Sequence, residues 1–241
     1  MFLLACLLIL VFSLIQSVFG FGLLAFGTPV FLLLGNSFQD TLLIVLPCSL
    51  AISTCQLFKG WEHLTHFKRD FPRYALLPLI IGLSIVLSMN EKYDLRLFVG
   101  CMLMLSAAVR YSSKASQLVR PVLEKYAAIY LALMGFIHGC TNMGGALLAI
   151  FVSNQCESKH AVRAHIAYAY TIFAVIQLGL VLVLSSAQPS YRMLLFPLIS
   201  LATFFYVGNK VFHAASVVAY HHLMSIALGA FGISLVVAAL L

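Results

Sequence analysis

The first thirty-four residues form an almost continuous apolar run, broken near its middle by Gly20-Phe21-Gly22 and Gly27-Thr28-Pro29. As one helix the run would be about 50 Å long, against a bilayer hydrocarbon core of about 30 Å. Glycine and proline fall where a helix is most easily interrupted. The run therefore reads as a broken transmembrane element, with the break near 20–29. A second interruption, near 138–145 within Gly135–Gly145, lies halfway down the chain. These two breaks organise the rest.

Only 9% of the 241 residues are charged and 63% are hydrophobic, whereas a soluble domain carries roughly 25% charged residues. The apolar segments are long and do not alternate every second residue, which indicates helices and not a membrane barrel. The expected fold is an all-α polytopic membrane protein, with about eight hydrophobic elements in two related halves. Each half holds one glycine-rich broken helix. Residues 1–18 lack a basic leader and a small-residue cleavage site, so they read as a retained first membrane helix. The six cysteines form no CxxC pair, which points to core residues with no disulfide framework and no metal site. No cofactor is expected.

The apolar runs cover about 2–34, 41–58, 74–89, 95–109, 126–152, 164–184, 193–207 and 214–241. Residues 1–112 make the first half, 113–122 a connector and 123–241 the second half. The net charge of +7 is concentrated in two loops. Lys59, Lys68, Arg69 and Arg73 lie in 59–73, and Arg110, Lys114, Arg120 and Lys125 lie in 110–125. Positive charge so placed reports topology, not nucleic acid, and makes both loops cytoplasmic in a multi-pass inner-membrane protein. If the breaks are simple kinks, the halves run parallel. An odd number of crossings in either half would invert them.

The halves match weakly in placement. At an offset of 122 residues Gln16 falls on His138 and Gly22 on Gly144, and at 121 Gln56 falls on Gln177. Ser49, Ser53 and Gln56 share one helix face, and Tyr170, Ala174 and Gln177 repeat that spacing. Paired Gly/Pro interruptions in two similar halves point to a transporter site near the membrane midplane.

Unwound backbone in a bilayer is tolerated only when buried in protein or lining a wet cavity. Each interruption creates a helix N-terminus inside the membrane, whose N–H groups favour an anion. The expected substrate-binding set is Gln16, Ser17, Gly20, Gly22 and Thr28 from the first break. His138, Thr141, Asn142, Gly144 and Gly145 come from the second, and Gln56 and Gln177 face them from the following elements. His138 is also the candidate for proton coupling, since intramembrane ionisable groups are functional by default. The competing reading is that the glycines only permit close helix packing. No catalytic residues are expected, because no GxSxG or HExxH occurs.

Gln16-Ser17-Val18-Phe19-Gly20-Phe21-Gly22-Leu23-Leu24-Ala25-Phe26-Gly27-Thr28-Pro29 resembles the N-terminal signature of the TauE/SafE sulfite-exporter family. Gly135-Phe136-Ile137-His138-Gly139-Cys140-Thr141-Asn142-Met143-Gly144-Gly145 resembles its second-half counterpart. The resemblance covers most of the chain. Two departures stand out: the first motif has Gly20-Phe21-Gly22-Leu23 where a longer glycine cluster is common, and Ala146 stands where a proline often follows the glycine pair. The resemblance implies an inner-membrane permease exporting a small anion such as sulfite or an organosulfonate. Its partners are that anion and the lipid bilayer, and the oligomeric state stays open. A non-transporting membrane scaffold or assembly protein is the first alternative, and an intramembrane enzyme the second.

Overall fold

A computed structural model describes residues 2–64, 66–88, 120–185 and 190–240, with Cys101, Met104, Ala107 and Ala108 between them. The fourth apolar run and most of the 113–122 connector lie outside the described residues. The described chain is helical throughout. The helices are α1 (Phe2–Phe19), α2 (Thr28–Leu33), α3 (Phe38–Gly60), α4 (Phe67–Ser88) and α5 (Ala127–Thr141). They are followed by α6 (Gly145–Gln155), α7 (Lys159–Leu184), α8 (Leu195–Thr203), α9 (Asn209–Ala214) and α10 (Val217–Leu240). Six stretches among the described residues are long and apolar enough to cross a membrane: Phe2–Phe19, Phe38–His63, Phe67–Ser88, Lys159–Leu184, Leu195–Ala214 and Val217–Ala238. The protein is a polytopic α-helical membrane protein, and all six cysteines are free thiols.

Neither interrupted run is a kinked span. The first reverses direction at Gly20–Gly22. The returning limb, a π-helical turn at Leu23–Gly27 followed by α2, packs back along α1. A side chain on Gly27 would lie 3.4 Å from the Phe12 ring, and one on Gly22 2.7 Å from the Gln16 nitrogen. Both ends of this hairpin, Phe2 and Ala5 with Phe31, Leu34 and Asn36, line one mainly apolar cavity of about 210 Å³. None of the expected site residues touches that cavity.

The second run does the same. Tyr130 Oη donates to the Leu147 carbonyl at 2.7 Å, and the Tyr130 and Phe151 rings stack at 5.6 Å. A straight helix would put residues 17 apart about 25 Å from each other, so α6 must fold back on α5.

The hairpins enter from opposite ends of the bundle. From the base of the first, α3 runs to the other end, where α4 begins. α4 and α5 then run side by side in the same direction, with Gly135 against the Ala75 carbonyl and Gly139 against that of Leu79. The base of the second hairpin is therefore at the end where α4 begins. That end carries Lys59, Lys68, Arg69, Arg73, Lys125 and Lys159, and we call it the basic end. Residues 59–64, 66–73 and 120–125 lie at this end, and 110–119 of the second basic loop lie outside the described residues.

Several helices outrun their apolar patterns. α4 begins at Phe67, seven residues before the pattern, and includes Pro72 near its start. The Leu195–Ala214 span passes through Gly208-Asn209-Lys210, where the apolar run ends, by way of a π-helical turn at Phe204–Gly208.

Candidate functional site

The middle of the bundle is polar where it should be most apolar. Gln16, Ser17, Thr28, Gln56, His138, Asn142 and Gln177 are all buried. Two long helices hold them together. α3 and α7 cross antiparallel, and their midpoints meet where Thr171 donates to Ser53 at 3.1 Å. α3 presents Ser49 and Gln56 to the first hairpin tip. α7 presents Tyr170, Phe173 and Gln177 to the second.

The tips share a hydrogen-bond pattern. In the first, Gly20 adopts φ +86° and its N–H donates to the Gln16 carbonyl at 2.8 Å, ending α1. In the second, Asn142 adopts φ +59° and its N–H donates to the His138 carbonyl at 2.6 Å. The left-handed conformation favours glycine or asparagine, which ends a helix without a clash. The side chain of the same residue then caps the returning limb. Leu23 N–H donates to Gln16 Oε1 at 3.2 Å, and Gly144 N–H donates to His138 Nδ1 at 3.0 Å. Thus Gln16 and His138, 122 residues apart, do equivalent work in reverse turns of opposite orientation.

The surroundings differ. At the first tip, Gln16 Nε2 donates to both the carbonyl and the hydroxyl of Ser49, at 3.0 and 2.9 Å. Gln56 Nε2 donates to the Gln16 and Ser17 carbonyls at 2.8 and 3.0 Å. Only Gln56 Oε1 is left unpartnered there. At the second tip, four groups are buried with unused hydrogen-bonding capacity: His138 Nε2, the Tyr170 hydroxyl, both amide atoms of Gln177 and Asn142 Oδ1. Because His138 Nδ1 accepts from Gly144, the neutral ring carries its proton on Nε2. The ring stacks on Phe173 at 4.2 Å and lies 5.9 Å from the Tyr170 ring. Gln177 lies beside it without completing a hydrogen bond. Gly145 is required here, since any side chain on it would collide with the Tyr170 hydroxyl.

One bond links the tips: Asn142 Nδ2 donates to Thr28 Oγ1 at 2.8 Å. If the Asn142 amide turns over, Thr28 becomes the donor and Asn142 offers a free N–H₂ instead. Thr141 stays within its own hairpin, donating to Ile137 O and accepting from Met143 N. All twelve expected residues are therefore buried at the two tips, but they form two clusters and not a single ring. The first cluster is Gln16, Ser17, Gly20, Gly22 and Gln56. The second is His138, Thr141, Asn142, Gly144, Gly145 and Gln177, joined to the first hairpin through Thr28.

Two participants escape a reading of the sequence. Tyr170 counts there only as part of a spacing, and its hydroxyl meets Gly145 only in the folded chain. Arg163 stands just outside the apolar run 164–184, yet it lies in the first turns of α7, is buried, and donates to the Ser17 carbonyl at 3.2 Å. No group of three or more His, Cys, Asp or Glu suited to a metal occurs among the described residues.

Comparison with known proteins agrees with the motifs. A family model described as Sulfite exporter TauE/SafE matches residues 5–235, nearly the whole chain. No curated protein and no solved structure matches.

Proposed function

We propose a transport reaction for this chain, which belongs to the sulfite exporter TauE/SafE family of membrane transporters and is not an enzyme. It acts as a secondary permease that exports a small anion such as sulfite or an organosulfonate. The anion binds near the membrane midplane between the two hairpin tips. The observation that carries this reading is the set of buried, unpartnered groups at the second tip. An unsatisfied buried polar group costs about 1–3 kcal/mol, and several together persist only where they serve a purpose. The His138 Nε2–H, the Tyr170 O–H and the Gln177 N–H₂ are three donors around one place. An oxyanion with several acceptor oxygens satisfies all three, while their neutrality keeps binding reversible.

The hairpins that enter from opposite ends support an inverted repeat, with 1–112 and 123–241 as its halves. Such a pair gives alternating access by rocking one hairpin against the other around a fixed site. The basic end faces the cytoplasm of an inner-membrane protein by the distribution of Lys and Arg. His138 links protons to this movement. A second proton on its ring must go to Nδ1, where the Gly144 N–H already points. Protonation therefore breaks the bond that closes the second tip.

Thermal unfolding of the purified protein with sulfite, thiosulfate, methanesulfonate and small carboxylates tests the site. A selective rise in Tm with a sulfur oxyanion is expected, and no selective shift by any of them sinks the transport reading. Proton coupling is tested in His138→Gln, whose transport should lose its dependence on pH. An unchanged pH profile removes that role.

A further inference from the structure

We propose that Arg163 is the charge-recognition residue for the transported anion and forms, with Asn209, a second anion subsite between the basic end and the hairpin tips. This rests on the permease reading above. Arg163 is 5% exposed, in a span that carries no carboxylate. Its guanidinium lies 3.4 Å from the centre of the Phe212 ring. It donates through Nη1 to the Ser17 carbonyl at 3.2 Å, and through Nη1 and Nη2 to Asn209 Oδ1 at 3.4 Å. Among the described residues no Asp or Glu pairs with it. The acids at this end are Glu62, Asp70, Glu124 and Glu157; Glu62 faces His63 at 3.8 Å, Asp70 pairs with Arg69 at 3.2 Å and Glu124 with Arg120 at 3.0 Å.

A neighbour shows what a purely structural cation looks like here. Lys159, one turn earlier, is also buried, and its ammonium donates to the carbonyls of Phe212, His213 and Ala215. Three donors meet three acceptors at the end of α9, and the charge is fully engaged as a helix cap. Arg163 has five N–H donors and makes only long contacts to two neutral acceptors. A buried cation in that state is poorly compensated and is best satisfied by an anion.

Its position suits the role. Arg163 and Gln56 share one acceptor, the Ser17 carbonyl at the first tip. Toward the basic end, His63 and His160 are 5.8 Å apart, as are His160 and His213, and Lys59 lies over the Phe204 and Phe205 rings. This basic mouth concentrates anions. Arg163 is its innermost charge, beside the π-helical turn Phe204–Gly208, a kind of distortion often found at functional sites. The two subsites divide the labour. Arg163 selects for negative charge, and the neutral donors at the second tip select for shape.

The deciding experiment measures uptake of radiolabelled sulfite into proteoliposomes, together with Tm, for the full chain and three variants. Asn209→Asp places a carboxylate against the guanidinium without removing it. Because this pair neutralises Arg163, sulfite KM should rise about tenfold or more, the scale of a charge-assisted pair, with Tm held or raised. Arg163→Gln should raise KM similarly, and Arg163→Lys, which keeps the charge, should stay within about threefold of the parent. A helix-cap role predicts the reverse: normal transport in Asn209→Asp and a loss of Tm in Arg163→Gln. Unchanged sulfite KM in Asn209→Asp overturns the proposal, and that variant decides even if Arg163→Gln does not fold. If the unaltered protein neither binds nor carries sulfite or methanesulfonate, the permease reading itself fails, and the Arg163 subsite with it.

Discussion

The first hairpin is closed upon itself and the second is open. Both reverse through a left-handed residue, and both cap the returning limb with a side chain from the end of the incoming helix. At the first, Gln16 and Gln56 meet four carbonyl or hydroxyl groups and one N–H between them. At the second, histidine replaces glutamine, and the ring has one nitrogen for the backbone and one left over. Tyr170 and Gln177 then add groups that the hairpin itself does not use. The lesson is physical. An amide with two donors and two acceptors can lock a turn from several sides, whereas an imidazole locks it from one and leaves the other side for chemistry. The first tip spends its polar groups on the fold, and the second holds the unused donors on which the proposed anion site rests.

The largest effect is expected from Gln16→Leu, which strands the Leu23 N–H and removes both bonds to Ser49. Loss of about 2–4 kcal/mol should appear as a large fall in Tm, with or without anion. A Tm unchanged by this substitution breaks the contrast. Gly20→Ala comes next. Its φ of +86° is strained for alanine, and the added Cβ would sit 3.2 Å from Ile166 and 3.3 Å from the Arg163 carbonyl. A cost of about 1–2 kcal/mol is expected in thermal or denaturant unfolding. By comparison, Asn142→Gly keeps an easy left-handed turn and should cost less, through the lost bond to Thr28.

Gln177→Leu carries the opposite sign. It removes a buried amide with no hydrogen bond, so stability should hold or rise by about 1 kcal/mol. The anion-dependent rise in Tm should vanish. A destabilisation equal to that of Gln16→Leu would make the two tips alike and end the distinction. The smallest change is Tyr170→Phe, which deletes one unpartnered hydroxyl. The unfolding free energy without ligand should stay within about 1 kcal/mol of the parent, while the anion is bound about tenfold more weakly. Titration calorimetry with the anion that gives the largest thermal shift would measure this, and unchanged affinity removes Tyr170 from the site.

Much of this was legible in the residues. The length of the first run excluded a single span, and its glycines marked where it had to break. The offset of 122 residues paired Gln16 with His138, but that both side chains cap a returning limb was not legible there. The form of the break was not legible. Glycine and proline report that a helix stops, not which way the chain goes afterwards, and a kink and a reversal have the same local composition. Arg163 was hidden for a related reason. Near the end of an apolar run, a basic side chain ordinarily reaches the polar boundary, and nothing local shows that α9 and the first tip enclose it.

By itself the sequence determined a helical membrane protein with two polar interruptions, because hydropathy and backbone permissiveness are properties of each segment alone. Tertiary structure decided that the interruptions are opposed hairpins, that one is satisfied and the other is not, and that a buried arginine lies beside the first tip. Those facts depend on which groups meet across the bundle. Hydrogen-bond satisfaction is a property of pairs, and in this protein the decisive pairs, such as Arg163 with Ser17 and Asn142 with Thr28, are separated by 146 and 114 residues.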